Sequence, residues 1–133
     1  MDTAEYENFT IIRRTKGRIP ILPFVNIKKA ILGSEYELSL VFPGIQESEK
    51  LHLEWKKKPG PVNTLSFPYD EESGEIIITL SKARSEAKKY SRKYHEHLIF
   101  LFIHSCLHLK GFDHGDKMEE QEQIFMNQFI VSK

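Results

Sequence analysis

The segment His104-Ser105-Cys106-Leu107-His108-Leu109-Lys110-Gly111-Phe112-Asp113-His114 concentrates three of the chain's six histidines within eleven residues. Four residues of helix advance about 400°, so His104 and His108 project from one side, one turn apart, close enough to share an ion. Gly111 can take the left-handed conformation that ends a helix, after which His114 returns towards the same point. A lone histidine is usually a hydrogen-bonded core or surface residue, but a helical pair, a glycine break and a third histidine fit a metal site better. Three neutral nitrogens leave a fourth tetrahedral position for water, the pattern of a catalytic zinc site.

The neighbours of these histidines narrow the chemistry. Metalloproteases with a related helix place a glutamate directly after the first histidine; here that residue is Ser105, which cannot serve as the base, so a protease is disfavoured. Cys106 lies about 200° around the helix from His104 and reads as a packed small residue rather than a ligand. Asp113 either orients a histidine or caps the turn. His95 and His97 read as polar residues near a helix start.

These residues need a scaffold, and the hydrophobic pattern supplies one. Phe9–Arg13 reads as a strand, 24–32 as a helix, Tyr36–Phe42 as an alternating strand ended by Pro43-Gly44, and 47–57 as a helix broken at Pro59-Gly60-Pro61. Val62–Tyr69 and Glu75–Leu80 read as a hairpin joined through Asp70–Gly74. A charged helix capped by Ser81 follows, then a mostly apolar one over 95–110, then a third over 116–130. Ile99, Phe100, Phe102, Ile103, Leu107 and Leu109 point in nearly every direction around the second of these helices, as expected where protein surrounds it. With strands early and helices late, the expected architecture is α+β, a single domain over 1–133. A small mixed sheet is packed with helices and the zinc site lies at the C-terminal end of a buried helix.

Composition removes other classes. Lys plus Arg and Asp plus Glu both number 19, so any polyanion site is a local patch rather than a property of the whole molecule. The single cysteine forms no internal disulfide, and the first residues lack the combination of basic stretch, apolar run and small-residue cleavage site; a cytoplasmic location is expected. The apolar stretch Leu98–Leu109 is too short for a bilayer span and carries two histidines, so no membrane role is expected. Between Lys82 and Lys93 six basic residues face one glutamate, Glu86, which suits either a polynucleotide track or a solvated helix. Asp116, Glu119, Glu120 and Glu122 suit the positive end of a helix dipole and are assigned no catalysis.

The histidine segment resembles the signature of the YbeY family, His-Gly-x-Leu-His-Leu-x-Gly-x-Asp-His, with Ser105 standing where the family has glycine. A second match is Val62-Asn63-Thr64-Leu65-Ser66-Phe67-Pro68, similar to the family's Thr-Asp-Val-Leu-Ser-Phe-Pro, and Gly74-Glu75-Ile76 resembles its Gly-Asp-Ile. The resemblance extends over roughly residues 5 to 130. It implies a zinc-dependent, single-strand-selective endoribonuclease acting in small-subunit (16S) ribosomal RNA maturation and ribosome quality control. One Zn2+ per chain would be held by His104, His108 and His114. Implied partners are single-stranded or ribosomal RNA, the small ribosomal subunit and its assembly factors.

Lys56 occupies the place of a family arginine thought to meet the RNA phosphate, keeping the charge without the bidentate fork. As a bare charge run, Lys56, Lys57 and Lys58 would read as a solvated helix end. The alternative function is a ribosome-assembly factor that binds RNA or protein, with a structural zinc and little turnover. A third is a hydrolase of some other phosphoester.

Overall fold

The computed structural model describes residues 1–130, and the last three residues of the expected 1–133 domain lie outside the described residues. Ten elements follow in chain order: β1 (Asp2–Tyr6), β2 (Phe9–Arg13), α1 (Phe24–Ile31), β3 (Glu37–Phe42), α2 (Ile45–Lys56), β4 (Thr64–Asp70), β5 (Ser73–Ile78), α3 (Leu80–Lys89), α4 (Tyr94–Lys110) and α5 (Asp116–Phe129). The α+β expectation holds as a five-stranded mixed sheet with five helices. Its strand order is β1-β2-β3-β5-β4. The β2–β3 and β3–β5 pairs are parallel, while the outer pairs β1–β2 and β4–β5 are antiparallel hairpins.

Period-two alternation divides β3 and β5 between two faces. Leu38, Leu40, Phe42, Ile76 and Ile78 join the main core with Phe9, Phe24 and the apolar residues of α4. Val41 and Ile77 face the other way, where Leu51 of α2 helps cover a smaller cluster. Helix α4 is wrapped by α1, α3, α5 and the β4–β5 hairpin. Leu98, Phe102, Ile103, Cys106 and Leu107 along it have no exposed surface. Each large side chain buried this way contributes about 1.5–3 kcal/mol.

Three local features differ from expectation. Strand β1 gives almost no signal in sequence, because it is an edge strand of alternating half-exposed and exposed residues held by ladder bonds to β2. The β1–β2 turn places Asn8 at φ 58°, a conformation asparagine tolerates. Helix α3 begins after Thr79 rather than Ser81 and has no side-chain cap; the Thr79 hydroxyl meets Ser48 Oγ of α2 at 2.5 Å instead. His97 lies in the first turn of α4, as a helix-start residue, but it is buried there: it is 3% exposed and sits 3.2 Å from Glu86 and 3.4 Å from Arg92. No helix among the described residues is long and apolar enough to cross a membrane.

Candidate metal centre

Helix α4 ends where its sequence requires it to. Gly111 adopts φ 109°, and the Phe112 amide returns to the Leu107 carbonyl at 3.0 Å, closing the last turn. This reversal has two consequences. It brings the Phe112 carbonyl within 3.1 Å of His108 Nδ1, and it delivers His114 on the loop to the helical pair. The three imidazole centroids lie 4.6, 4.7 and 5.4 Å apart, and one nitrogen from each falls within 4.8 Å of the others.

Proton accounting decides what this cluster can hold. His108 Nδ1 faces a carbonyl oxygen, and His104 Nδ1 faces the Glu122 carboxylate at 2.5 Å, so each Nδ1 carries the donated hydrogen. The two Nε2 atoms then carry lone pairs, and they face each other at 3.2 Å. Facing lone pairs repel unless a cation stands between them. Tetrahedral zinc, with Zn–N distances of about 2.0–2.1 Å, separates neighbouring ligand nitrogens by about 3.3 Å. The donor set therefore fits a divalent cation, with His114, exposed on its loop, completing the trio. Burial, reinforced by His104 beside it, lowers the His108 pKa below its ordinary value and favours the neutral form a ligand needs.

Glu122 is the residue that sequence reasoning missed. It lies on α5, is 9% exposed and donates no ligand of its own, yet its carboxylate sets the tautomer of His104. Its place among the acidic residues at the start of α5 suggests a dipole role. Only its position one helical turn after Met118, the other buried residue of that helix, hints that it faces inward. Asp113, read from sequence as either orienting a histidine or capping the turn, is exposed, and His104 and His108 take the partners just named. Cys106 is fully buried, as expected for a packing residue, and burial pushes its thiol pKa up.

The centre opens into a cavity of about 550 Å³ between α4 and edge strand β4. Lys56, at the last turn of α2, reaches into it: the left-handed conformation of Lys57 turns the chain there, and Lys56 Nζ lies 3.5 Å from the Thr64 carbonyl. Structure thus brings Lys56 and the three histidines to one cavity. Thr64 and Ser105 also meet, their hydroxyls 2.6 Å apart, while Ser66 donates to the Ser105 carbonyl at 3.3 Å. Ser105 therefore does more than pack; it ties α4 to β4 at the level of the histidines. Asn63 continues the wall, donating to Glu86, which in turn contacts His97.

Fold and cavity together define a small α+β protein whose three-histidine cluster, set in an open cleft, can hold a metal ion. The same fold occurs in the solution structure of a Thermotoga maritima protein, which is 19% identical and matches with a TM-score of 0.67 over 91% of this chain and 88% of that one. Sequence comparison goes further. The model of the family described as Endoribonuclease YbeY matches residues 18–132. Endoribonuclease YbeY of Renibacterium salmoninarum is 30% identical over 98% of this chain and 91% of its own length. That of Campylobacter jejuni is 34% identical over 75% of this chain and 80% of its own. The chain belongs to the endoribonuclease YbeY family, whose named members are hydrolases acting on RNA.

Proposed function

We propose that the chain is a zinc-dependent, single-strand-selective endoribonuclease that acts in the cytoplasm on small-subunit ribosomal RNA, in its maturation and in ribosome quality control. The observation that carries this reading is the pair of Nε2 lone pairs facing each other at 3.2 Å, each oriented by a hydrogen bond on the far side of its ring. Family membership supports the substrate class. A divalent cation held by His104, His108 and His114 supplies, when bound, positive charge to a phosphoryl oxygen and a more acidic water.

The chain's own residues do the rest. Glu122 and the Phe112 carbonyl hold the Nδ1 protons of His104 and His108, keeping both rings aimed. The Lys56 ammonium, exposed at the cavity rim, binds the scissile phosphate as a point charge and offsets the charge that develops there. Two routes of attack are distinguished by their products. Attack by water is compatible with a 3′-hydroxyl end, whereas attack by the RNA 2′-hydroxyl leaves a cyclic phosphate and spares DNA.

The test begins with metal content. Protein purified without a histidine tag is expected to carry about one zinc per chain, lost in His108→Ala, and to cut single-stranded RNA only when loaded. RNA cleavage that persists after chelation, or no zinc uptake in supplemented wild type, overturns the reading. An assembly factor with a purely structural zinc would instead be expected to use a fourth protein ligand. The cluster found among the described residues has three.

A further inference from the structure

A second cavity, of about 620 Å³, adjoins the metal centre, and Phe100 of α4 lines both. Glu122 joins them as well, lining the second cavity while bonding His104 in the first. The volume falls within the range of small-ligand sites, about 300–1,000 Å³. Its lining divides by chemistry. Phe100 and Met126 offer an apolar face, Arg92 and Lys93 at the α3–α4 turn offer positive charge, and Glu96 and Glu119 offer carboxylates. The Arg92 guanidinium lies 5.2 Å over the Phe100 ring and 3.4 Å from His97. Lys93 is 86% exposed in its side chain and 3.9 Å from Glu96.

We propose that this second cavity holds a nucleotide of the RNA next to the scissile phosphate, with its base selected for an exocyclic amino group. The proposal rests on the endoribonuclease reading and deepens it. An apolar face with cations at one side suits a base and its adjoining phosphate, since base stacking and phosphate charge are the two sequence-tolerant terms of single-strand binding. The carboxylates add selectivity. Glu96 and Glu119 are acceptors only, so at the exocyclic position they accept from the 4-amine of cytosine or the 6-amine of adenine and repel the O4 carbonyl that uracil presents there, leaving uracil only its N3–H as a donor. A purely electrostatic phosphate track would not carry three carboxylates, Glu96, Glu119 and Glu122, within the same cavity.

Cytidine and uridine 5′-monophosphates differ on the Watson–Crick edge at ring positions 3 and 4, and make the sharpest probe. Titrated by calorimetry into zinc-loaded protein, the cytidine form is expected to bind roughly five to ten times more tightly, the gain of one amine hydrogen bond to a charged acceptor less what the uracil N3–H recovers. The variant Glu96→Ala/Glu119→Ala removes that ratio, whereas Lys93→Ala weakens both nucleotides alike. Equal affinities in wild type, or a ratio that survives the double variant, overturn the proposal. RNA cleavage measured on the same samples separates the two layers: cleavage with equal nucleotide affinities removes the subsite alone. No cleavage with the ratio intact removes the nuclease reading and leaves a nucleotide site.

Discussion

Removing the Glu122 carboxylate should weaken the metal centre without deleting a ligand. In Glu122→Ala, His104 Nδ1 loses a partner at 2.5 Å in a contact where the two side chains are only 20% and 12% exposed, so water replaces it poorly. The bond exists with or without an ion, and only its strengthening on metal binding counts towards affinity. That differential is the usual contribution of an outer partner, 10- to 100-fold in metal affinity, or about 1.4–2.8 kcal/mol. Glu122→Gln should fall between the two, since an amide oxygen accepts the Nδ1 hydrogen but brings no charge. A chelator-competition titration with zinc above the imidazole range measures the constants. Urea melts of the metal-free proteins show whether either variant has lost its fold. Wild-type affinity within about twofold in a folded Glu122→Ala would refute the claim that the carboxylate governs the His104 tautomer.

Lys56→Ala is expected to lower RNA cleavage by at least about tenfold with zinc content unchanged, while Lys56→Arg keeps or improves it; cleavage kinetics beside metal analysis check both. Ser105→Ala strands the Thr64 hydroxyl, on a residue 8% exposed, and should cost about 1–3 kcal/mol in urea unfolding. Thr64→Val/Ser105→Ala, which removes both hydroxyls, should recover most of that loss, and simple additivity in the double-mutant cycle would refute the coupling. Because the folded His108 pKa lies below its ordinary 6.5, the unfolded chain takes up the proton first. The metal-free protein should therefore lose stability as pH falls from about 6.5 to the folded pKa and then level off in this contribution. His108→Gln should flatten that part of the profile, and parallel profiles from urea melts across this range would contradict it.

How far the sequence discloses this centre depends on how each residue reaches it. His104 and His108 are legible because an α-helix turns a spacing of four into a shared face, and Gly111 because a left-handed residue must end that helix before His114 can return. The hairpin and the buried helix follow equally well from period two and from an apolar run with no polar face. Strand β1 escapes because its stability comes from backbone pairing at a sheet edge, which leaves no mark on side-chain pattern. Lys56 illustrates an intermediate case. Nothing in Lys56-Lys57-Lys58 separates one lysine from its neighbours until Lys57 takes φ 56° and the turn sends Lys56 towards β4.

Glu122 is the hardest case, since 18 residues and a change of helix separate it from His104, and its three acidic companions on α5 supply an adequate reason to be there. What distinguishes it is burial, a property of packing between α4 and α5 rather than of local spacing. The same reasoning applies to Thr64 and Ser105, 41 residues apart, each of which looks like a minor polar substitution alone. Seen together they form one hydrogen bond across the β4–α4 contact, which neither residue discloses alone. Ligands that act through one element can be read from that element; residues that orient them act across elements, and become visible only once the elements are packed.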